Sequence, residues 1–267
     1  MRIPFTKAHG AKNDFLLTWA DAAPESGDLA AIARAICDRH TGVGADGWML
    51  VSRPRDADAE GTIQLYNSDG SVAEISGNGT RCAAALLVKH GYAAGVVRVR
   101  TGAGIKTLRL LRRRDLVFEF EMNMGRPEVR EAQFNLRLAS GLRDVTLLWV
   151  GNPQCAVPVE NFDLDWRTLG AEIESHPHFP NRTNVSFVCR IDDHTVEARF
   201  YERGAGETMS SGTGSTGAAA TAVSRGMAEW PVRVSTPAGP IDLREENGEV
   251  YLTGPAEIVA EGEFHSA

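Results

Sequence analysis

Hydrophobic and polar residues alternate over short stretches of the first half of the chain, a pattern typical of strands with one buried face. It predicts strands over residues 15–18, 47–51, 62–66, 96–101, 106–111 and 116–121. Two other stretches repeat apolar residues at helical spacing and predict helices over 29–39 and 79–90, the second ending before Gly91 as a C-cap.

The second half of the chain predicts the same order of elements. Valine-rich strands are predicted at 145–150, 185–190 and 195–201. Helices are predicted at 165–175 and, rich in alanine, at 213–225 before Gly226. A shift of 135 residues places S-G-N-G at 76–79 on S-G-T-G at 211–214. The same shift pairs Gly91 with Gly226, Tyr66 with Tyr201, and 83–85 with 218–220. Chance matches of small residues are the alternative, but both helix caps coincide, so we interpret the shift as two lobes of one topology.

Composition narrows the classes of function. The 267 residues carry 28 Lys and Arg against 35 Asp and Glu, a formal charge of −7, which disfavours a general nucleic-acid binder. The sequence lacks an apolar stretch of membrane-spanning length, and its first seven residues lack the apolar core of a secretory signal. The widely spaced cysteines disfavour a zinc site or a disulfide framework: Cys37, Cys82, Cys155 and Cys189. We therefore expect a cytoplasmic protein without nucleic-acid or membrane partners.

Each S-G-x-G loop precedes a predicted helix, so its backbone N–H groups lie at the positive end of that helix. Glycine allows a ligand to approach such a backbone closely. Serine is also a common N-cap, and ordinary capping explains either loop taken alone. Two such loops at one position of a repeat instead favour a site for an anion, most simply a carboxylate.

Polar residues flank both loops. The first loop has Asn67, Asp69, Ser71, Glu74 and Asn78, and the second has Glu202, Arg203, Glu207, Thr208 and Thr213. Asn13, Asn152 and Asn184 lie in separate turn-like segments, where a purely structural role is the alternative. Asparagine both donates and accepts hydrogen bonds, Arg203 can clamp a second carboxylate, and Glu202 can bind an ammonium group. Together they suit a small zwitterionic amino acid.

Six segments occur in the order in which diaminopimelate epimerases carry them, and the chain resembles that family over nearly its whole length. They are H-G-A-K-N-D-F (9–15), D-R-H-T-G-V-G-A-D-G (38–47), N-S-D-G-S-V-A-E-I-S-G-N-G-T-R-C (67–82), G-N-P-Q-C (151–155), R-T-N-V-S-F (182–187) and Y-E-R-G-A-G-E-T-M-S-S-G-T-G (201–214). The third and sixth segments are the most specific.

The resemblance implies an α/β (α+β) fold of two pseudo-symmetric lobes, each a mixed sheet or open barrel around a central helix. The lobes are predicted at 1–121 and 122–267, and the end of the chain is free to cross back to the first lobe. Substrate is expected between the lobes, with residues 76 and 211 facing each other. Because the family tends to dimerise, we expect a homodimer.

The resemblance also implies an activity, the interconversion of LL- and meso-diaminopimelate in lysine and cell-wall precursor synthesis, without pyridoxal phosphate, any other cofactor or a metal. In the family one thiolate removes the α-proton and a second thiol protonates the opposite face. The two helix N-termini bind the α-carboxylate and stabilise carbanion charge. The corresponding catalytic positions are Ser76 and Ser211, and the corresponding substrate-binding positions are Asn13, Asn67, Gly77, Asn78, Asn152, Asn184, Glu202, Arg203, Gly212 and Thr213.

The chain departs from the family where the chemistry occurs. Serine replaces both catalytic cysteines, and Gln154 replaces the histidine of G-N-P-H-C. A thiol titrates near pH 8.5, whereas a serine alkoxide is scarcely populated without a strong base beside it. The two serines alone would fit a deliberate replacement of both cysteines, but the three changes together favour natural divergence.

Three functions follow from this contrast between a preserved binding shell and altered acid–base groups. The first is an amino-acid epimerase or racemase acting on diaminopimelate or a close relative. The second is a different isomerase or lyase reaction, as among the proline racemase and phenazine-biosynthesis relatives. The third is a non-catalytic amino-acid-binding protein.

Overall fold

The computed structural model describes residues 2–24, 27–53 and 58–265. Its strands are β1 (Arg2–Gly10), β2 (Asn13–Trp19), β3 (Gly47–Ser52), β4 (Gly61–Asn67), β5 (Val72–Ala73), β6 (Val96–Thr101), β7 (Gly104–Arg114), β8 (Val117–Gly125), β9 (Glu128–Leu138), β10 (Gly141–Trp149), β11 (Pro153–Val159), β12 (Asn184–Arg190), β13 (Thr195–Glu202), β14 (Gly206–Thr208), β15 (Val232–Thr236), β16 (Gly239–Glu246) and β17 (Glu249–His265). Its α-helices are α1 (Leu29–Cys37), α2 (Gly77–Lys89), α3 (Trp166–Glu174) and α4 (Gly212–Ser224), and a 3-10 turn spans Ala20–Ala22.

The chain forms two compact units, which we call unit 1 (Met1–Met122 with Gly254–Ala267) and unit 2 (Asn123–Thr253). The change of unit after Met122 lies one residue beyond the lobe boundary drawn from the sequence. The last segment, from Gly254 onward, groups with unit 1. The sequence boundaries had left it free to cross back to the first lobe.

In unit 1 a mixed sheet surrounds α2. Strand β2 pairs antiparallel with β1 and parallel with β3, and β3 pairs antiparallel with β4. Strand β4 then pairs antiparallel with β5 and parallel with β6, which pairs antiparallel with β7. Helix α2 packs against β1, β2, β4, β6 and β7, and its residues from Gly77 to Val88 are all buried. A helix that is buried on every side needs small or apolar residues all around it, which explains its alanines and glycines.

Unit 2 repeats this topology. Strand β11 pairs antiparallel with β10 and parallel with β12, and β12 pairs antiparallel with β13. Strand β13 then pairs antiparallel with β14 and parallel with β15, which pairs antiparallel with β16. Helix α4 packs against strands of this sheet from β9 to β16 and is buried from Gly212 to Ala222. Helices α2 and α4 have 13 residues each and begin at Gly77 and Gly212, so the predicted 135-residue repeat is confirmed.

Most predicted elements are present, with shifted ends. Both central helices begin earlier than predicted, α2 by two residues and α4 by one, because the serine before each glycine is the N-cap. Strand β9 was not predicted, since it is rich in charged residues and largely exposed, with only Leu136 and Leu138 buried. Within the described residues, none of the helices has the length and apolar character needed to cross a membrane.

The third residue of α4 must be glycine for steric reasons. A Cβ at Gly214 would lie 2.8 Å from Phe200 Cδ1 and 2.9 Å from Ser211 Oγ. At Gly217, one turn later, the nearest atom to a new Cβ would be Leu148 Cδ1 at an ordinary 3.5 Å.

We therefore expect Gly214→Ala to lower the free energy of unfolding by about 1–3 kcal/mol through overpacking. The matched control, Gly217→Ala, should leave stability unchanged or raise it by up to about 1 kcal/mol, because alanine is the better helix former. Urea unfolding monitored by circular dichroism measures both. Equal effects of the two substitutions would contradict the packing described for the cap.

Candidate functional site

The two predicted catalytic serines are the N-caps of the buried helices. Ser76 precedes α2 with φ −129° and ψ 122°, and its Oγ accepts a hydrogen bond from Gly79 N at 3.1 Å. Ser211 precedes α4 with φ −136° and ψ 127°, and its Oγ accepts from Gly214 N, also at 3.1 Å. The two loops therefore have one geometry, and each hydroxyl oxygen is already a hydrogen-bond acceptor.

The surroundings of the two hydroxyls decide their chemistry. Within the described part of the chain, neither hydroxyl forms a hydrogen bond with a histidine, lysine or carboxylate side chain. Ser211 is buried, with 3% of its surface exposed, and Ser76 is half-buried. Each can donate its proton, but no strong base is bonded to either to generate an alkoxide.

Other polar residues of unit 1 lie at the edge of the sheet where α2 begins. Asn13 starts β2, Asp46 immediately precedes the parallel strand β3, and Asn67 ends the antiparallel strand β4. Asn13 Nδ2 donates to Asp46 Oδ2 at 2.7 Å, and Asn78 Nδ2 donates to Asn13 Oδ1 at 3.2 Å. Asn13 and Asn78 are thus directly linked by a side-chain hydrogen bond.

Asn67 is placed differently from the other two. Its Nδ2 donates to Ser71 Oγ at 2.9 Å, and its main-chain N–H donates to Ser71 O. The following residue, Ser68, donates its main-chain N–H to Asp46 O at 3.0 Å. The turn that carries Asn67 is therefore attached to the Asp46 segment through the backbone.

Asp46 belongs to a compact charged group that the motif analysis did not single out. Arg39 Nη2 lies 2.8 Å from Asp14 Oδ1 and 2.7 Å from Asp46 Oδ1, and Lys7 Nζ lies 3.1 Å from Asp14 Oδ2. Burial opposes ionisation of Asp14, but the bonds from Arg39 and Lys7 prevail and its pKa is lowered. Burial and the adjacent Asp14 charge raise the pKa of Asp46.

In unit 2 three polar side chains meet at the start of α4. Gln154 Nε2 donates to Asn152 Oδ1 at 2.6 Å and to Thr213 Oγ1 at 3.2 Å. Asn152 Nδ2 lies 3.4 Å from the same Thr213 hydroxyl. All three side chains are buried, and Gln154 Oε1 has no hydrogen-bond partner. Gln154 therefore orients two predicted binding residues and keeps one buried acceptor available.

The predicted pair Glu202 and Arg203 lies at the end of β13, in a turn held from two sides. Asn184 Oδ1 accepts from Arg203 N at 3.1 Å, and Asn184 Nδ2 donates to Pro153 O at 3.0 Å. Glu202 Oε1 accepts from Thr208 Oγ1 at 2.7 Å. Asn184 thereby joins this turn to the segment that contains Asn152.

Glu174 supports the same turn from α3. It is 2% exposed, its Oε1 accepts from Gly204 N at 3.3 Å, and its Oε2 pairs with Arg182 Nη2 at 2.5 Å. The helical pattern of 165–175 gave no reason to single it out, because a glutamate at a helix end is usually exposed.

Every predicted site residue thus lies in one of two similar clusters. Unit 1 brings together Ser76, Gly77, Asn78 and Asn13, with Asn67 on the adjoining turn. Unit 2 brings together Ser211, Gly212, Thr213, Asn152, Asn184, Glu202 and Arg203. The catalytic and binding roles remain predictions. The thiols lie elsewhere: all four cysteines are free, and burial raises the pKa of Cys37 and of Cys82 to about 12.

Solved structures share this fold at low sequence identity. A hydroxyproline epimerase from Agrobacterium vitis, with bound trans-4-hydroxy-L-proline, matches with a TM-score of 0.75 and 18% identity, over 98% of this chain and 92% of that one. A Bacillus anthracis phenazine biosynthesis protein matches with a TM-score of 0.71 and 15% identity, over 98% and 99%. The fold is thus of the α/β class that also contains this hydroxyproline epimerase and this phenazine biosynthesis protein.

Sequence comparison identifies the family within this class. The model of the diaminopimelate epimerase family matches residues 5–129 and 146–259. A diaminopimelate epimerase of Pelotomaculum thermopropionicum is 37% identical over 97% of this chain and 98% of its own length. One of Cupriavidus taiwanensis is 36% identical over 100% of this chain and 99% of its own length. The chain belongs to the diaminopimelate epimerase family.

The charged group in unit 1 predicts a pH dependence of stability. The folded-state pKa of Asp14 lies below its ordinary value, so its contribution is complete above about pH 5 and is lost as the pH falls through the folded pKa. The raised pKa of Asp46 acts in the opposite sense and favours the folded state at low pH.

We expect Asp14→Asn to be less stable than the parent at neutral pH and to lose less stability between about pH 5 and about pH 2. Urea unfolding across that range measures the slope. Asp115→Asn, in an exposed turn, is the matched control and should keep the parental slope. A parental slope in Asp14→Asn would contradict the role of this charged group.

Proposed function

We propose that this protein is an amino-acid epimerase that interconverts LL- and meso-diaminopimelate by two proton transfers, without pyridoxal phosphate. The observation that carries the proposal is the repeated cap: Ser76 and Ser211 occupy the same position, with the same hydrogen bond, at two buried helix N-termini. Membership of the diaminopimelate epimerase family supports the substrate class.

In this proposal the N-terminus of each buried helix takes part in substrate binding. The N–H groups of the first turns, at Gly77 and Asn78 and at Gly212 and Thr213, would bind the α-carboxylate, which suits the positive ends of the two helices. As the α-proton leaves, charge shifts onto that carboxylate, so the same amides would stabilise the carbanion.

The remaining polar groups would select the rest of the substrate. Asn13 and Asn152 are buried amides fixed by their partners, Asp46 and Gln154, and can bind polar groups of the amino acid. Arg203 would bind the distal carboxylate and Glu202 the distal ammonium group. Their backbone turn is held by Asn184 and Glu174, which supports a preformed rather than a mobile clamp.

The two serines limit the rate in this account. A hydroxyl can deliver a proton to a carbanion, but it is a very weak base at neutral pH, and neither serine has a base bonded to it. We therefore propose that the binding shell is intact and that epimerisation of diaminopimelate by the unmodified chain is slow.

We further propose that the protein is cytoplasmic, that it acts in lysine and cell-wall precursor synthesis, and that it assembles as a homodimer. The acidic charge of −7 supports the absence of a nucleic-acid partner. Family membership supports the biosynthetic role.

Incubation with LL-diaminopimelate in deuterated water tests the function directly. Deuterium at the α-carbon together with formation of the meso isomer supports the epimerase. Loss of water from the substrate, or exchange without inversion, would instead favour the other isomerase or lyase reaction. That reaction is an alternative because Ser76, Ser211 and Gln154 differ from the family residues. Binding seen by calorimetry without any exchange would favour an amino-acid-binding protein.

We expect Arg203→Ala to weaken binding of diaminopimelate by about 2–4 kcal/mol, the usual cost of removing one partner of a desolvated charge pair. Isothermal titration calorimetry measures the change. Arg233→Ala is the matched control, because this arginine is exposed and pairs with Asp242 on a neighbouring strand of the same unit. Unchanged affinity in Arg203→Ala would remove Arg203 from the proposed site.

Restoring both thiols should raise the rate. We expect the double variant Ser76→Cys with Ser211→Cys to epimerise about 10²–10⁴ times faster than the parent, because each face of the α-carbon then has a competent acid–base group. Each single variant should gain far less, and adding Gln154→His to the double variant tests whether the histidine of the family is also needed.

Ser210→Cys, which adds a thiol beside the cap rather than at it, is the control and should leave the rate unchanged. The assay is conversion of LL-diaminopimelate followed by chromatography of the isomers. An unmodified chain that already turns over at an ordinary enzymatic rate, above about 1 s⁻¹, would show that hydroxyls suffice.

A further inference from the structure

Arg81 lies in the second turn of α2 and is completely buried. Its Nη1 donates to Gly77 O at 3.3 Å, its Nη2 donates to Asn78 Oδ1 at 2.5 Å, and its Nε donates to Pro255 O at 3.1 Å. The guanidinium group therefore contacts the first turn of α2 directly and is anchored by the last segment of unit 1.

All three acceptors of Arg81 are neutral oxygens. Among the residues that the structure describes, no carboxylate lies within ion-pair distance of its guanidinium group. Burial without such a partner lowers the pKa of Arg81 to about 10, so the group is still charged at neutral pH. A buried cation without an adjacent anion is costly, and its surroundings must compensate through dipoles.

Two amides supply that compensation. Asn78 accepts from Arg81 and donates to Asn13, and Asn13 in turn donates to Asp46. Each amide points its oxygen toward the cation and its nitrogen toward the carboxylate, so their dipoles add along the chain. Other charged or titratable groups lie on elements packed against α2 or next to it in the chain: Lys7 and His9 on β1, Asp14 on β2, Cys82 within α2, and Glu74 two residues before the cap. Lys7 and Arg39 pair with Asp14, and His9 pairs with Glu257.

Helix α4 has no equivalent charge. The 135-residue shift places Thr216 at the position of Arg81, and Thr216 Oγ1 donates to Gly212 O at 2.9 Å, as Arg81 donates to Gly77 O. The two side chains thus satisfy the same first-turn carbonyl, one with a cation and one with a neutral hydroxyl. The geometry of the two caps is repeated, but their electrostatics are not.

We infer that Arg81 is a positioning residue that makes the two helix caps unequal: its charge, held directly against Gly77 O and Asn78 Oδ1 of the first turn, makes the α2 cap the stronger anion-stabilising end. This inference deepens the proposed function, on which it rests. A group at position 76 would accordingly give up its proton more readily than one at position 211, and the carboxylate and carbanion charge would be held chiefly by α2.

A thiol placed at each cap reports this difference without any substrate. Ser76→Cys and Ser211→Cys are prepared separately, and the pH dependence of iodoacetamide alkylation is followed at each position by tandem mass spectrometry. We expect the thiol at 76 to titrate at least about one pH unit below the thiol at 211. Equal titration, or a lower pKa at 211, would overturn the inference.

Because Ser211 is also the more buried of the two, the cause must be isolated at Arg81 itself. In the Ser76→Cys background, Arg81→Gln removes the charge but keeps hydrogen-bond donors, and it should raise the thiol pKa by about one unit. Arg81→Lys keeps a cation only while the buried ammonium stays protonated, so its thiol pKa should lie between that of the single-cysteine parent and that of Arg81→Gln. Arg109→Met removes an exposed arginine of the same unit and should have no effect.

Thermal unfolding of each variant shows whether its fold is intact. If Arg81→Gln does not fold, the comparison of Arg81→Lys with the single-cysteine parent decides: a thiol pKa at or only modestly above the parental value supports the charge, and an increase of about one unit or more contradicts it. Equal increases in the Gln and Lys variants would show that packing, not charge, is responsible. The thiol titration contains no substrate, so a negative result would reject the role of Arg81 without rejecting the proposed reaction. Conversely, a lack of epimerase activity would not change the titration result.

Discussion

The hydrogen bond from a glycine N–H to the serine hydroxyl three residues earlier, repeated at Ser76 and Ser211, is the interaction on which the rest of the account depends. It starts each buried helix at a fixed residue and so fixes where the uncapped first-turn amides lie. Gly214 shows how tight this packing is, because Ser211 and Phe200 occupy the space that a side chain at this position would need. The helix ends are therefore built into the core of each unit, not added at its surface.

Around each cap, sheet topology gathers the polar residues. Parallel strands that begin side by side, and an antiparallel strand that ends beside them, bring separate turns to one edge of the sheet. In unit 1 this edge carries Asn13, Asp46 and Asn67, and in unit 2 it carries Asn152, Asn184 and Glu202. Asn67 and Glu202 occupy equivalent repeat positions but differ in charge. The repeat therefore determines where each side chain lies, whereas sequence divergence between the two units determines its charge.

The sequence predicted what depends on local pattern: the two alanine-rich helices, their 135-residue spacing and the serine caps. It did not predict what depends on contacts between distant residues. In the sequence, Arg81 is one polar residue within a predicted helix. The structure shows that it is a buried cation, because it is hydrogen-bonded to Asn78 and to Pro255, far along the chain. Glu174 and Asp46 were missed for the same reason, since burial of a carboxylate depends on the partners that tertiary structure supplies.

The central proposal is that the first-turn amides of α2 and those of α4 take part in binding the amino acid, whatever the rate of the chemistry that follows. Titration of the ¹⁵N-labelled chain with diaminopimelate, followed by amide nuclear magnetic resonance, tests it most directly. The account predicts that the first-turn amides of α2, at Gly77 and Asn78, and of α4, at Gly212 and Thr213, shift together with a single dissociation constant and 1:1 stoichiometry. Shifts confined to one helix, or two sets with different dissociation constants, would contradict it.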